Sequence, residues 1–147
     1  MINTGSNVYR HARLDLDDLD GTPIRQAYPA SKLGTLLFTR ELARRTRDAG
    51  LAAVTFHPGF VATDLGRGSP VFRLMNSWAG RVVLSSPGRG AEPLLNLATA
   101  ASLQAVSGTY FNRLKPEDPP RGQARDPGLA RELWELSARL AGLPESA

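Results

Sequence analysis

The stretch ASKLGTLLFTRELARRTRDAGLAAVTFHPG, residues 30–59, decides the fold. Its apolar positions Leu33, Leu36, Leu37, Leu42 and Ala43 recur at helical spacing, while Arg40, Glu41, Arg44 and Arg45 supply the wet side. Gly50 stops the helix, and Leu51-Ala52-Ala53-Val54-Thr55-Phe56 then reads as a short apolar strand over 51–56, cut off by His57-Pro58-Gly59. A helix, a glycine turn and a buried strand make the second half of a βαβ unit. Such units build parallel sheets with helices on their faces.

Working back from this stretch, Tyr28-Pro29-Ala30-Ser31-Lys32 opens the helix, which is expected over 28–49. Residues at i and i+4 are neighbours on a helical surface, so Tyr28 and Lys32 stand side by side. A free phenol releases its proton only at a pH of about 10, and an ammonium beside it favours the phenolate. That is the tuning general acid–base catalysis needs. Taken alone, a Tyr-x-x-x-Lys spacing is an ordinary surface pairing, and only other parts of the chain can give it a chemical meaning.

Further upstream, Ile2-Asn3-Thr4-Gly5-Ser6-Asn7 places a small polar cluster where a strand gives way to a loop, and residues 7–27 read as a long connection ending at Asp20-Gly21-Thr22-Pro23. Downstream, residues 57–84 carry Gly59, Gly66, Gly68 and Gly80 among apolar residues and suit a lid over a pocket. Pro87 to Ala101 is patterned as a helix with Leu94, Leu95, Leu97 and Ala98 inward. Val106 to Phe111 reads as a second short strand and Lys115 to Arg125 as a Pro-rich loop. Asp126-Pro127 is an N-cap with proline at the first helical position, opening a final helix over 126–142 with Leu129, Leu133, Trp134, Leu136 and Leu140 as its apolar set.

The 147 residues suit one domain, and 41% hydrophobic with 22% charged residues is a globular balance. With no cysteine and only His11 and His57, no metal site is expected. No run of about 18 apolar residues spans a bilayer and residues 1–10 lack a signal-peptide layout, so the expectation is a cytoplasmic protein without a transmembrane span. The net charge of +4 is carried by arginines scattered among acids, without an aromatic platform, so nucleic acid is not an expected partner.

Three features now stand in order: Ser6 at the end of a β-like segment, Tyr28 with Lys32 on the next helix, and Pro58-Gly59-Phe60-Val61-Ala62-Thr63 after the next strand. Together they resemble the C-terminal half of the short-chain dehydrogenase/reductase family, most closely its retinol dehydrogenase and WW-domain oxidoreductase group. The wording at Arg13 to Leu19, Ser31 to Leu42 and His57 to Gly59 is similar to that group's. The resemblance implies an α/β fold, the C-terminal half of a Rossmann-like doubly wound parallel sheet lacking its first βαβαβ half. It implies an oxidoreductase that interconverts an alcohol and a carbonyl with NAD or NADP as cofactor.

By the same resemblance Tyr28 is the acid/base. Lys32 assists it and hydrogen-bonds the nicotinamide ribose, Ser6 holds the substrate oxygen, and Pro58, Gly59, Val61 and Thr63 line the nicotinamide side. Other roles stand beside these: Ser6 as a turn residue, Thr63 as a cap, Gly59 as a sharp turn, and His57 as a packed or capping residue outside the site. The apolar content of Gly66 to Leu84 points to a lipophilic small-molecule alcohol or carbonyl.

The family's Gly-x-x-x-Gly-x-Gly turn, which cradles the pyrophosphate, occurs nowhere in the chain. Nor do Asn3, Asn7 and Asn76 match the position of the family's active-site asparagine. Two expectations follow: residues that are catalytic in an intact oxidoreductase of which this is a fragment, or a truncated, inactive remnant. In either case a sheet lacking its neighbouring strands exposes an edge open to association. A small binding module unrelated to redox chemistry is a third class, opposed by the ordered motifs.

Overall fold

The computed structural model describes residues 1–59, 87–119 and 122–143. The element order is β1 (Ile2–Thr4), α1 (Ile24–Arg45), β2 (Val54–His57), α2 (Pro87–Ala98), β3 (Tyr110–Asn112), β4 (Lys115–Glu117) and α3 (Pro127–Leu140), with a 3-10 turn at Asn7–His11. The sheet order is β1-β2-β3-β4. The first three strands are parallel, with Thr4 opposite Phe56 and His57 opposite Asn112, and β4 closes back antiparallel on β3. This is an α/β fold with a partial Rossmann-like sheet.

Strand β2 is buried at every position, Thr55 and His57 included, as central parallel strands are. Alternate side chains serve the two faces. Val54 and Phe56 join Phe111 and Leu97 of α2 in one cluster, while Tyr110 belongs to the other, with Leu33, Leu36 and Leu37 of α1 and Ala130 of α3. Helix α1 packs on both α3 and β2.

Several local expectations are corrected. Helix α1 runs from Ile24 to Arg45, not 28–49, because Pro23, with φ −56° and ψ 141°, already serves as its N-cap. Pro29 then lies inside the helix, in its second turn, where it lacks an N–H for the intrahelical bond. Glu41, placed on the wet side, is buried; its two oxygens accept bonds from Arg44 and Arg45, whose guanidiniums cover it. In α2 the inward stripe is Pro93 and Leu97, one turn apart, and Leu94, Leu95 and Ala98 are exposed. Leu140 is exposed at the end of α3, and the Pro-rich segment after Leu114 contains β4. Most of the expected lid, residues 60–84, lies outside the described residues.

Candidate active site

The three parallel strands end at Thr4, His57 and Asn112, so the segments leaving them meet on one carboxyl edge. In open α/β sheets that edge is where ligands bind. Gly5 extends the pairing of β1 by one bond, its N–H donating to Phe56 O at 2.7 Å. The approach demands glycine: a Cβ there would lie 2.6 Å from Thr55 Cγ2. Ser6 follows, buried, and N-caps the Asn7–His11 turn by accepting from Val8 N–H at 3.5 Å. That bond uses a lone pair of Oγ and leaves its proton available to donate.

Helix α1 runs back from the same edge. Lys32 Nζ donates to Thr4 O at 3.2 Å, which ties the helix to the end of β1 two residues before Ser6. The same ammonium lies over the Tyr28 ring, 5.6 Å from its centroid, within cation–π range. Tyr28 itself is 43% exposed, open to a ligand rather than locked in the core. Hydroxyls of Ser31, Thr35 and Thr39 bond back to carbonyls one turn earlier, and Asn3 Nδ2 donates to Thr39 Oγ1 at 2.8 Å, holding the helix against β1.

On the β2 side, Pro58 and Gly59 leave the strand after His57, and Gly59 has φ 89°, a left-handed conformation suited to glycine. Arg113 N–H donates to His57 O at 2.9 Å, joining this turn to β3. His57 is buried, and its imidazole is held below its ordinary pKa first by burial and then by the positive charges of Arg10 and Arg113. Val61, Thr63 and Asn76 lie outside the described residues. The structure thus brings Ser6, Tyr28, Lys32, Pro58 and Gly59 to one edge of the sheet.

Beside them stands a polar group that sequence reasoning did not assign to the site. Tyr110 O–H donates to Asn7 Oδ1 at 2.8 Å, and Asn7 Nδ2 donates to Asn112 Oδ1 at 3.4 Å. The ring of Tyr9 meets that of Tyr110 edge-on at 5.0 Å and 72°. Burial pushes the phenol of Tyr110 well above its ordinary pKa, with Tyr9 adding to the shift. Arg10, next in the turn, pairs with Glu117 of β4. The sequence signal was slight: Tyr110 and Asn112 alternate onto one face of a strand, and nothing in spacing links them to residue 7, more than 100 positions away.

No family model matches the chain. It is 37% identical to retinol dehydrogenase 13 of Homo sapiens, over 97% of this chain and 46% of that protein. Retinol dehydrogenase 14 of Homo sapiens is 35% identical over 97% of this chain and 44% of its own length. A protein of Streptomyces sp. (strain C5) named as daunorubicin C-13 ketoreductase DnrU is 38% identical over 97% and 49%. Among solved structures, an uncharacterized protein from Mycobacterium paratuberculosis is similar with a TM-score of 0.69 and 28% identity, over 99% of this chain and 51% of that one. The chain spans about half the length of the curated relatives it matches.

Proposed function

We propose, from the premise that this chain belongs to the short-chain dehydrogenase/reductase family, that it carries the proton-transfer half of an NAD(P)-dependent oxidoreductase acting on a small lipophilic alcohol or carbonyl. The observation that carries this reading is the position of Lys32, bonded to Thr4 O at the carboxyl edge while lying over the Tyr28 ring. A surface pairing with no further role would need no such anchor.

In this proposal Tyr28 gives its phenolic proton to the substrate oxygen in reduction and takes it back in oxidation. Ser6 donates its hydroxyl proton to the same oxygen, a preorganised donor where negative charge develops. Lys32 holds positive charge against the phenol and offers its remaining N–H donors to a cofactor hydroxyl. Pro58 and Gly59 line the nicotinamide side, and the left-handed Gly59 turn lets backbone approach a flat ring closely; Val61 and Thr63, outside the described residues, are assigned there by the family's motif alone. Among the described residues, the left-handed Gly59 turn and the Lys32 ammonium at this edge support a nicotinamide here. When bound, that group supplies or takes the hydride.

Two substitutions test the roles. Ser6→Ala should lower kcat by roughly 10²-fold, the range for losing one preorganised donor. Lys32→Ala should lower kcat and weaken cofactor binding together. Unchanged kcat in both would end the assignment. A second reading, a polypeptide inactive alone, is favoured by the absence of any Gly-x-x-x-Gly-x-Gly turn from its 147 residues. Fluorescence titration with NADH and NADPH separates the two: tight binding by the chain alone excludes the second, and its absence favours it.

A further inference from the structure

We infer that Tyr110 and Asn7 are positioning residues for Ser6, a latch from β3 that fixes the turn carrying the serine; the inference rests on the redox reading of Ser6. Local bonding in that turn is long, with Tyr9 N–H reaching Ser6 O at 3.2 Å and Ala12 N–H reaching Tyr9 O at 3.1 Å. The Ser6 cap to Val8 N–H is 3.5 Å long, at the limit of a hydrogen bond. Gly5 pins one side of the serine to β2 through Phe56 O at 2.7 Å. The other side is pinned by the next residue, Asn7, whose carboxamide takes the Tyr110 proton at 2.8 Å and gives its own to Asn112 at 3.4 Å. Ser6 is therefore held between two strands, by its neighbours on both sides.

The chemistry of the latch suits an amide and a buried phenol. Tyr110 is 1% exposed, so its hydroxyl must find a partner inside the protein, and Asn7 Oδ1 is that partner. An amide offers an acceptor and donors in one plane, so Asn7 can serve Tyr110 and Asn112 at once. Tyr9, from the same turn, packs edge-on against the Tyr110 ring and adds an apolar contact to the polar one. Both Asn7 contacts and the Tyr9 contact fall on β3, so a shift of β3 would be transmitted directly to Ser6.

The test uses the whole chain and needs no substrate. Tyr110→Phe and Asn7→Leu should each speed hydrogen exchange of the Tyr9 amide, which bonds Ser6 O at 3.2 Å, by roughly five- to tenfold, the worth of one hydrogen bond. Both should also displace the Ser6 carbon resonances, and the double variant should add little. Asn7→Asp keeps an acceptor for the Tyr110 hydroxyl but has no donor for Asn112 Oδ1, so it should bring the Ser6 resonances part of the way back, whereas Tyr9→Phe, which leaves the latch bonds intact, should not move them. Tyr110→Phe and Asn7→Leu spectra with Ser6 unmoved, or Asn7→Asp no better than Asn7→Leu, would overturn the latch. Failure of the redox reading shows itself separately, as turnover indifferent to Ser6→Ala.

Discussion

Replacing Gly5 by alanine probes the point where β1 passes into the site. The new Cβ would sit 2.6 Å from Thr55 Cγ2, 3.2 Å from Tyr110 Cε2 and 3.4 Å from Phe56 O. Carbon atoms prefer separations of about 3.5–4.0 Å, so Thr55 must retreat by roughly 1 Å. It is poorly placed to do so: Thr55 is wholly buried, β-branched, and paired within the sheet on both sides. Overpacking of this kind costs about 1–3 kcal/mol.

Gly5 is absent from the residues with positive φ, so alanine can adopt its backbone conformation and regains about 0.4–1 kcal/mol through the unfolded chain. The net loss centres on about 1–2 kcal/mol, and at roughly 2–4 °C per kcal/mol for a chain near this size Tm should fall by about 2–8 °C. Urea unfolding followed by circular dichroism reads the loss, and a cycle with Thr55→Ser, which deletes the clashing methyl, reads the mechanism. The double variant should be more stable than the two single losses sum to, by about 1 kcal/mol. A Gly5→Ala protein within about 0.5 kcal/mol of the parent, or strict additivity, would refute the reasoning.

Other outcomes follow from the buried polar groups. Tyr9 buries a hydroxyl with no hydrogen-bond partner among the described residues, so Tyr9→Phe should be neutral or stabilising by about 1 kcal/mol in thermal unfolding. Glu41→Gln should cost about 1–2 kcal/mol, since it weakens two charge-assisted contacts on one buried carboxylate. The Arg44 and Arg45 bonds hold the Glu41 carboxyl below its usual pKa, so its contribution is complete above about pH 4.3 and is lost as pH falls below that, a loss the Gln variant should not show in acid titration of stability. The two buried rings bracket the pH range of stability. His57, with its pKa lowered by burial, gives stability that is complete above about pH 6.5 and declines as pH falls, because the unfolded chain then binds the proton first. Tyr110, raised by burial, gives stability that is complete below about pH 10 and declines as pH rises, because the unfolded chain then loses the proton first.

Much of this architecture was legible in the sequence where local pattern and burial agree. The helix–Gly50–strand text located α1 and β2 because an apolar stripe of period 3.6 and a short run of buried residues have few other uses, although β2 spans Val54–His57 rather than 51–56 and a 3-10 turn at Arg47–Ala49 separates α1 from Gly50. Asp126-Pro127 marked the start of α3 because cap chemistry is local: the Asp126 carboxylate accepts from Gly128 and Leu129 N–H. Glu41 was misplaced because charge alone says wet side, and only the structure shows two guanidiniums closing over it. Leu94 and Leu95 were misplaced because composition does not say which face of α2 meets the sheet. For the candidate site, Tyr28 and Lys32 were legible through i,i+4 spacing. The Asn7–Tyr110–Asn112 group was not, because its partners lie 103 and 105 positions apart and nothing local foretells their meeting.

The most direct measurement of the central claim is turnover of a lipophilic aldehyde with NADPH or NADH by this chain joined to the cofactor-binding half of an active relative, with Tyr28 intact and replaced by phenylalanine. If Tyr28 is the acid/base, Tyr28→Phe lowers kcat by about 10²–10⁴-fold while the cofactor Kd stays the same. Equal turnover with tyrosine and phenylalanine would contradict it.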